Sequence, residues 1–211
     1  MKRRGIVTII ALTSLSITGC GSGNETPKKP ASPTTSNGDG SFQGNAADKA
    51  RAGLAVLDKT SMLPANWRPV PTKGRLADPP GHPSYCGVAA EPDPVRQSAL
   101  TLYEEAPSER RVLQFTFVST EQAAKTTMDT LVSAAAKCVD PGFKVTKASS
   151  FTPVGDDTVA LDYTNQSGAT SRAVVFRSTD TIVVLVGYGA TGVPTKPMQE
   201  IATTIGNSLA G

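Results

Sequence analysis

Between Phe143 and Gly189 the chain holds four strand-length runs, "FKVTKASSF", "TVALDYT", "RAVVFRS" and "TIVVLVGYG". They are separated only by "TPVGDD", "NQSGAT" and "TD". Connections this short join antiparallel neighbours and leave no room for a crossover helix, so the spacing predicts a four-stranded meander. Val159, Leu161 and Tyr163 alternate, as a strand covered on one face should. "IVVLV" does not alternate, which predicts a strand buried on both faces.

Upstream, "SALTLYEE" and "RRVLQFTFV" flank the turn "APSE", and Leu113, Phe115 and Phe117 share one face. The segment "STEQAAKTTMDTLVSAAAKC" is the clearest helix. Ser119 or Thr120 can cap it, Gln122 completes a capping box on Ser119, and Ala124, Met128, Leu131 and Ala135 form its apolar stripe. A first helix is expected in "AADKARAGLAVLDKT", with Ala50, Leu54 and Leu57 at helical spacing and Pro64 as its stop. A last helix, "TKPMQEIATTIGNSLAG", places Met198, Ile201, Ile205 and Leu209 on one side. The expected fold is α+β: an antiparallel sheet of about five to six strands packed with two to three helices and one disulfide.

The stretch "PANWRPVPTKGRLADPPGHPSYCG" has neither helical nor strand period and reads as a long irregular loop. Such a loop is exceptional in a compact domain unless pinned or functional. Of the three cysteines, Cys20 is claimed by the N-terminal signal described below, which leaves Cys86 and Cys138. In an oxidising compartment an even pair reads as a disulfide, the alternative being two buried free thiols. The bridge would close a loop of about 50 residues, worth roughly 4 kcal/mol in the chain-entropy model. It would pin the far end of the loop to the helix that ends at Cys138.

The first nineteen residues have a basic start (Lys2, Arg3, Arg4), an apolar core too short to span a bilayer, and small residues before "ITGC". This is the form of a lipoprotein signal peptide over residues 1–19, cut to leave Cys20 as a lipidated N-terminus. An ordinary secreted protein with a coincidental cysteine is the alternative. Two or three acyl chains on Cys20 would hold where one holds only marginally, so the expected location is the extracytoplasmic face of the cell membrane, by lipid anchor. Residues 20–45 then form a Ser/Thr/Pro/Gly tether that reaches about 25–30 Å as a flexible coil. Residues 46–211 form a single domain, long enough to bury roughly 70% of its unfolded surface.

Removing the signal takes three of the 21 Lys+Arg and none of the 18 Asp+Glu, so the mature chain is formally neutral. No basic stripe with interleaved aromatics remains, which argues against nucleic acid as a partner. Lys28 and Lys29 make a weak patch for anionic headgroups. Neither remaining cysteine sits in a CxxC or a Cys/His cluster, and no metal or cofactor is expected.

"GYGATG", residues 187–192, matches GxGxxG after a strand and before a helix. It lacks a following parallel strand and an acidic residue about twenty positions on, and Pro194 and Pro197 interrupt the helix start, so it reads as strand-to-helix punctuation. His82 is the sole histidine, with Ser84 and Tyr85 close by and Asp78 or Glu91 as conceivable acids. No serine occupies a GxSxG elbow, and neighbours on a proline-rich loop are poorly disposed for proton relay, so catalysis is not expected. Asp156 and Asp157 follow Gly155 and read as turn chemistry. Trp67, the sole tryptophan, is either a plug in the core or a ligand anchor. One candidate site therefore gathers Trp67, His82 and Tyr85 at the rim of a cleft between the long loop and the sheet.

The order of parts resembles the PknH-like extracellular sensor domain that recurs in actinobacterial lipoproteins and on receptor kinases. The resemblance is carried by the lipobox, the Ser/Thr/Pro tether, "SMLPANW", "SYCG", "LQFTF", "AAAKC", "GDDTVAL" and "AVVFRSTDTIVVLV", and spans roughly residues 48 to 211. It implies a disulfide-stapled α+β domain with a cleft, regarded as a ligand-binding sensor module. Cys86 and Cys138 match that family's cysteine pair by position. The kinase-linked form has a second cysteine pair absent here, and no kinase or transmembrane helix is attached, so a signal would pass through another protein.

The expectation is a non-catalytic, monomeric, membrane-anchored binding module for a small envelope ligand or a partner protein. A carrier of lipid or glycolipid is the rival, although 5% aromatic residues and many helical alanines do not indicate a large apolar cavity. A hydrolase ranks third.

Overall fold

The computed structural model describes residues 44–71 and 83–211. In chain order the elements are α1 (Ala46–Leu54), β1 (Trp67–Val70), β2 (Ser84–Tyr85), β3 (Val88–Ala89), β4 (Gln97–Glu105), β5 (Arg111–Val118) and α2 (Glu121–Ala135). They continue with β6 (Phe143–Lys147), β7 (Asp157–Asn165), β8 (Thr170–Ser178), β9 (Thr181–Tyr188) and α3 (Thr195–Ala210). Seven strands form one sheet in the order β1-β4-β5-β9-β8-β7-β6, and β2 and β3 form a separate small hairpin. Every pairing is antiparallel. The fold is α+β with the expected meander and hairpin.

The topology follows from one long step. After β5 the chain enters α2, whose 15 residues extend about 22 Å at 1.5 Å per residue. That length suffices to cross the four strand spacings from β5 to β6, roughly 19 Å in all. The meander then walks back from the edge until β9 pairs with β5, Phe115 opposite Val184. β9 thus lies inside the sheet, and Ile182 to Leu185 are buried on alternating faces, as "IVVLV" predicts.

Helices cover both faces. Trp67, Tyr103, Val112, Val174, Phe176, Val183 and Leu185 pack under Met198, Ile201, Ile205 and Leu209 of α3 and under the end of α1. On the opposite face Leu113, Phe115, Phe117, Val175, Ile182 and Val184 pack under Ala124, Met128 and Leu131 of α2. The β2-β3 hairpin joins this second core through Tyr85, with Val88 packed against it. Cys86, in the hairpin turn, is bonded to Cys138 beyond α2, with Cα atoms 5.1 Å apart. The staple therefore fastens the hairpin to the end of the helix.

Several local expectations are corrected. α1 ends at Leu54, ten residues before Pro64, and neither Ala50 nor Leu54 is buried; Leu54 is 47% exposed. Its inward face is Asp48 and Ala52, followed by Ala55. Asp48 is drawn inward because it completes a capping box with Asn45 and meets Arg96 at 3.4 Å. Small Ala52 and Ala55 let the helix end approach the sheet, where the Leu57 amide donates to the Tyr103 hydroxyl (3.1 Å). That hydroxyl donates to buried Gln114 (2.7 Å), whose amide reaches Ala55 O and Thr116 Oγ1.

At α2 the cap is Thr120, which accepts from the Ala123 amide (3.1 Å). The expected box on Ser119 does not form, because the Ser119 hydroxyl donates to Pro94 O instead. The stretch read as irregular contains an edge strand, β1, in register with β4 (Trp67 opposite Glu105, Val70 opposite Leu102). Pro69 is tolerated there because an edge strand need not donate on both sides. With β1 the main sheet has seven strands rather than five to six.

Candidate ligand groove

The α2 face of the sheet is not wholly covered by α2. The cross-strand row Leu113, Val186, Ala173 runs over β5, β9 and β8, and Ser171 of β8 lies opposite Tyr163 of β7. At Ser171 and Ala173 the side chains are small where the neighbouring strands carry Leu, Val and Phe. The shortfall opens a groove of about 340 Å³. Its floor is Leu113, Phe115, Ala173 and Val186, one wall is Pro83, Ser84 and Tyr85, and the other is Tyr163 with Phe143. Phe143 and Tyr163 meet edge-on, with ring centroids 6.2 Å apart at 81°.

The polar groups in this groove are neutral. Burial pushes the Tyr85 phenol well above its ordinary value, and neighbouring Tyr163 adds to the shift. Burial likewise pushes Tyr163 up to about 12, with a contribution from Asp140. Both phenols are therefore protonated at neutral pH, and among the described residues no charged side chain lines the groove. The Tyr163 hydroxyl is 3.8 Å from Cys86 Sγ, so the disulfide backs the aromatic wall. Such a site buries apolar surface and offers hydroxyl hydrogen bonds.

Of the residues singled out from sequence, Tyr85 lies in the groove wall and is 8% exposed. Trp67 does not join it. Trp67 is 1% exposed and belongs to the core on the opposite face, so it is the plug and not a rim residue. His82 and Cys20 lie outside the described residues, as do the signal segment and nearly all of the tether. Cys86 and Cys138 form the expected disulfide.

The remaining motifs have packing roles. In "GYGATG" a Cβ on Gly187 would collide with Met198 of α3, and one on Gly189 with Arg110. Close approach is what these glycines permit. Asp156 and Asp157 do more than turn: both pair with Arg177, at 3.2 and 2.8 Å, and Asp156 accepts from the Thr179 amide. Among the described residues no three His, Cys, Asp or Glu are placed to hold a metal, and no helix is long and apolar enough to cross a membrane.

The groove residues missed in the sequence are Leu113, Phe115, Phe143, Tyr163, Ser171, Ala173 and Val186. Most carry the same alternation as true core residues. The available signal was the Ser171/Ala173 pair, two small side chains on a face otherwise built from large ones.

No family model matches the chain, and no curated protein matches it.

Proposed function

We propose that the protein is a membrane-anchored extracytoplasmic lipoprotein whose α+β domain is a non-catalytic binding module for a small, uncharged or weakly polar amphiphile of the envelope. The observation that carries this reading is the groove itself: an open apolar floor on the sheet, two neutral phenols and two serine hydroxyls, and no charged lining among the described residues. A ligand would lay its apolar part on Leu113, Phe115 and Val186 and direct a polar end to Ser84, Ser171 or Tyr163. "ITGC" supports the anchor at Cys20, and the likeness to a PknH-like sensor supports a sensing role, with any signal relayed by another protein.

Transport of whole lipids, the rival, draws on the same apolar floor, but about 340 Å³ lies near the lower end of ordinary small-ligand sites, roughly 300–1,000 Å³. Part of one acyl chain or a small ring system fits better than a two-chain lipid. The test is titration of a fluorescent acyl probe against wild type and Ala173→Phe, which fills the floor. The reading expects at least tenfold weaker binding with little change in melting temperature; equal affinity would refute it. Labelling with a fatty-acid analogue, lost in Cys20→Ser, checks the anchor separately.

A further inference from the structure

Beyond the groove, the segment from the end of α2 through β6 presents apolar side chains to solvent. Val139 is 85% exposed and Phe143 43%, and the turn between them carries exposed Pro141 and Gly142. A single exposed apolar residue needs no explanation, but here three lysines lie on the same short segment. Lys137, Lys144 and Lys147 are all exposed. The lysine ion pairs among the described residues are Lys125 with Asp129 and Lys196 with Glu200, so these three are uncommitted. Lys137 and Lys147 line one cleft with Val139 and Val145.

The acidic residues nearby are engaged. Asp140 accepts from the Gly142 amide at 3.0 Å, and Asp162 is held by Arg172 at 2.7 and 2.9 Å. The tip thus combines protruding apolar side chains with a net positive rim. That combination suits the anionic surface of a bilayer, where the rim meets headgroups and the tip enters the boundary with the acyl chains.

We propose that the α2-β6 tip, Val139 and Phe143 with Lys137, Lys144 and Lys147, is a docking surface for an anionic lipid bilayer. Phe143 is also a wall of the groove, so docking would bring the groove mouth to the lipid interface and give a membrane-resident amphiphile a direct route in. The proposal rests on the anchored reading only for local concentration: a lipid-held domain is presented to the bilayer continuously, which makes a weak patch effective.

The experiment uses the full chain carrying Phe143→Trp with excess vesicles whose lipids are brominated in the acyl chain. Trp67, buried in the far core, supplies an unquenched background. Quenching is expected on vesicles containing phosphatidylglycerol and not on phosphatidylcholine alone. It should fall with salt, and with Lys137→Glu, Lys144→Glu and Lys147→Glu together the association should weaken on the order of a hundredfold. Because Phe143→Trp could disturb the wall, amide exchange of residues 138–147 in the wild-type chain is the second reading, with protection expected only on the anionic vesicles. Equal quenching on both vesicle types, or neither quenching nor protection, overturns the proposal; the second result would leave the patch to a protein partner. The mass of the peptide bearing Cys20 reports the anchor independently, so failure of docking and failure of anchoring are told apart.

Discussion

The Tyr163 hydroxyl stands 3.8 Å from Cys86 Sγ, placing the disulfide directly behind the aromatic wall of the groove. The bond from Cys86 to Cys138 holds the β2-β3 hairpin, and with it Tyr85, against the end of α2. Staple and groove wall are one structure.

Removing the staple should therefore act twice. Cys86→Ala with Cys138→Ala should lower the unfolding free energy by about 4 kcal/mol in the chain-entropy model, read from urea titration. It should also let the hairpin lift, weakening the acyl probe and exposing Tyr85 to solvent in ultraviolet difference spectra. An unchanged urea midpoint would contradict the first effect.

Two glycines separate backbone strain from collision. Gly155 (φ +68°) and Gly168 (φ +83°) both occupy the left-handed region, but a Cβ at Gly155 would strike the Arg177 carbonyl whereas one at Gly168 meets open space. Gly168→Ala should cost about 1–2 kcal/mol, the backbone penalty alone. Gly155→Ala should cost clearly more, since the Arg177 carbonyl also accepts from the Asp156 amide at 2.8 Å and has no freedom to retreat. Thermal unfolding of the two variants checks the order.

The acid limb of stability should depend on the β4-β5 turn. Arg110 forks onto Glu105 at 2.6 and 2.7 Å, and the Ser108 hydroxyl donates to the same carboxylate. The Arg110 hydrogen bonds, then that of Ser108, hold the Glu105 carboxyl below its ordinary value of 4.5. A depressed folded pKa contributes stability that is present above the unfolded value and lost as pH falls through the folded one. Melting temperature measured from pH 6 down to pH 2 should thus fall more steeply in wild type than in Glu105→Gln. Parallel curves would show that the pair contributes nothing.

What was legible in the sequence is what period and short connections determine. β5, β9 and the meander follow from alternation and turn spacing, and α2 and α3 from stripes that lie buried, apart from the last member of the α2 stripe, Ala135, which is half-buried. α1 misled because nine residues give too few turns to define a face, and because a capped, ion-paired Asp48 is drawn inside while Leu54 is left out. β1 was hidden by its four residues and Pro69; only its partner β4 makes it a strand. Trp67 follows the same logic: a short edge strand turns it inward, into the core under α3. The groove was invisible because five strands supply its floor and one wall, and nothing in a linear reading brings Ser171, Ala173 and Phe143 side by side.

The most direct measurement of the central claim is native mass spectrometry of the protein extracted gently from its own membrane. The account predicts a second population, heavier than the anchored chain by one small non-covalently held molecule. That population should be released on collisional activation and be missing from Ala173→Phe. A single species with the mass of the anchored chain alone, identical in wild type and Ala173→Phe, would contradict it.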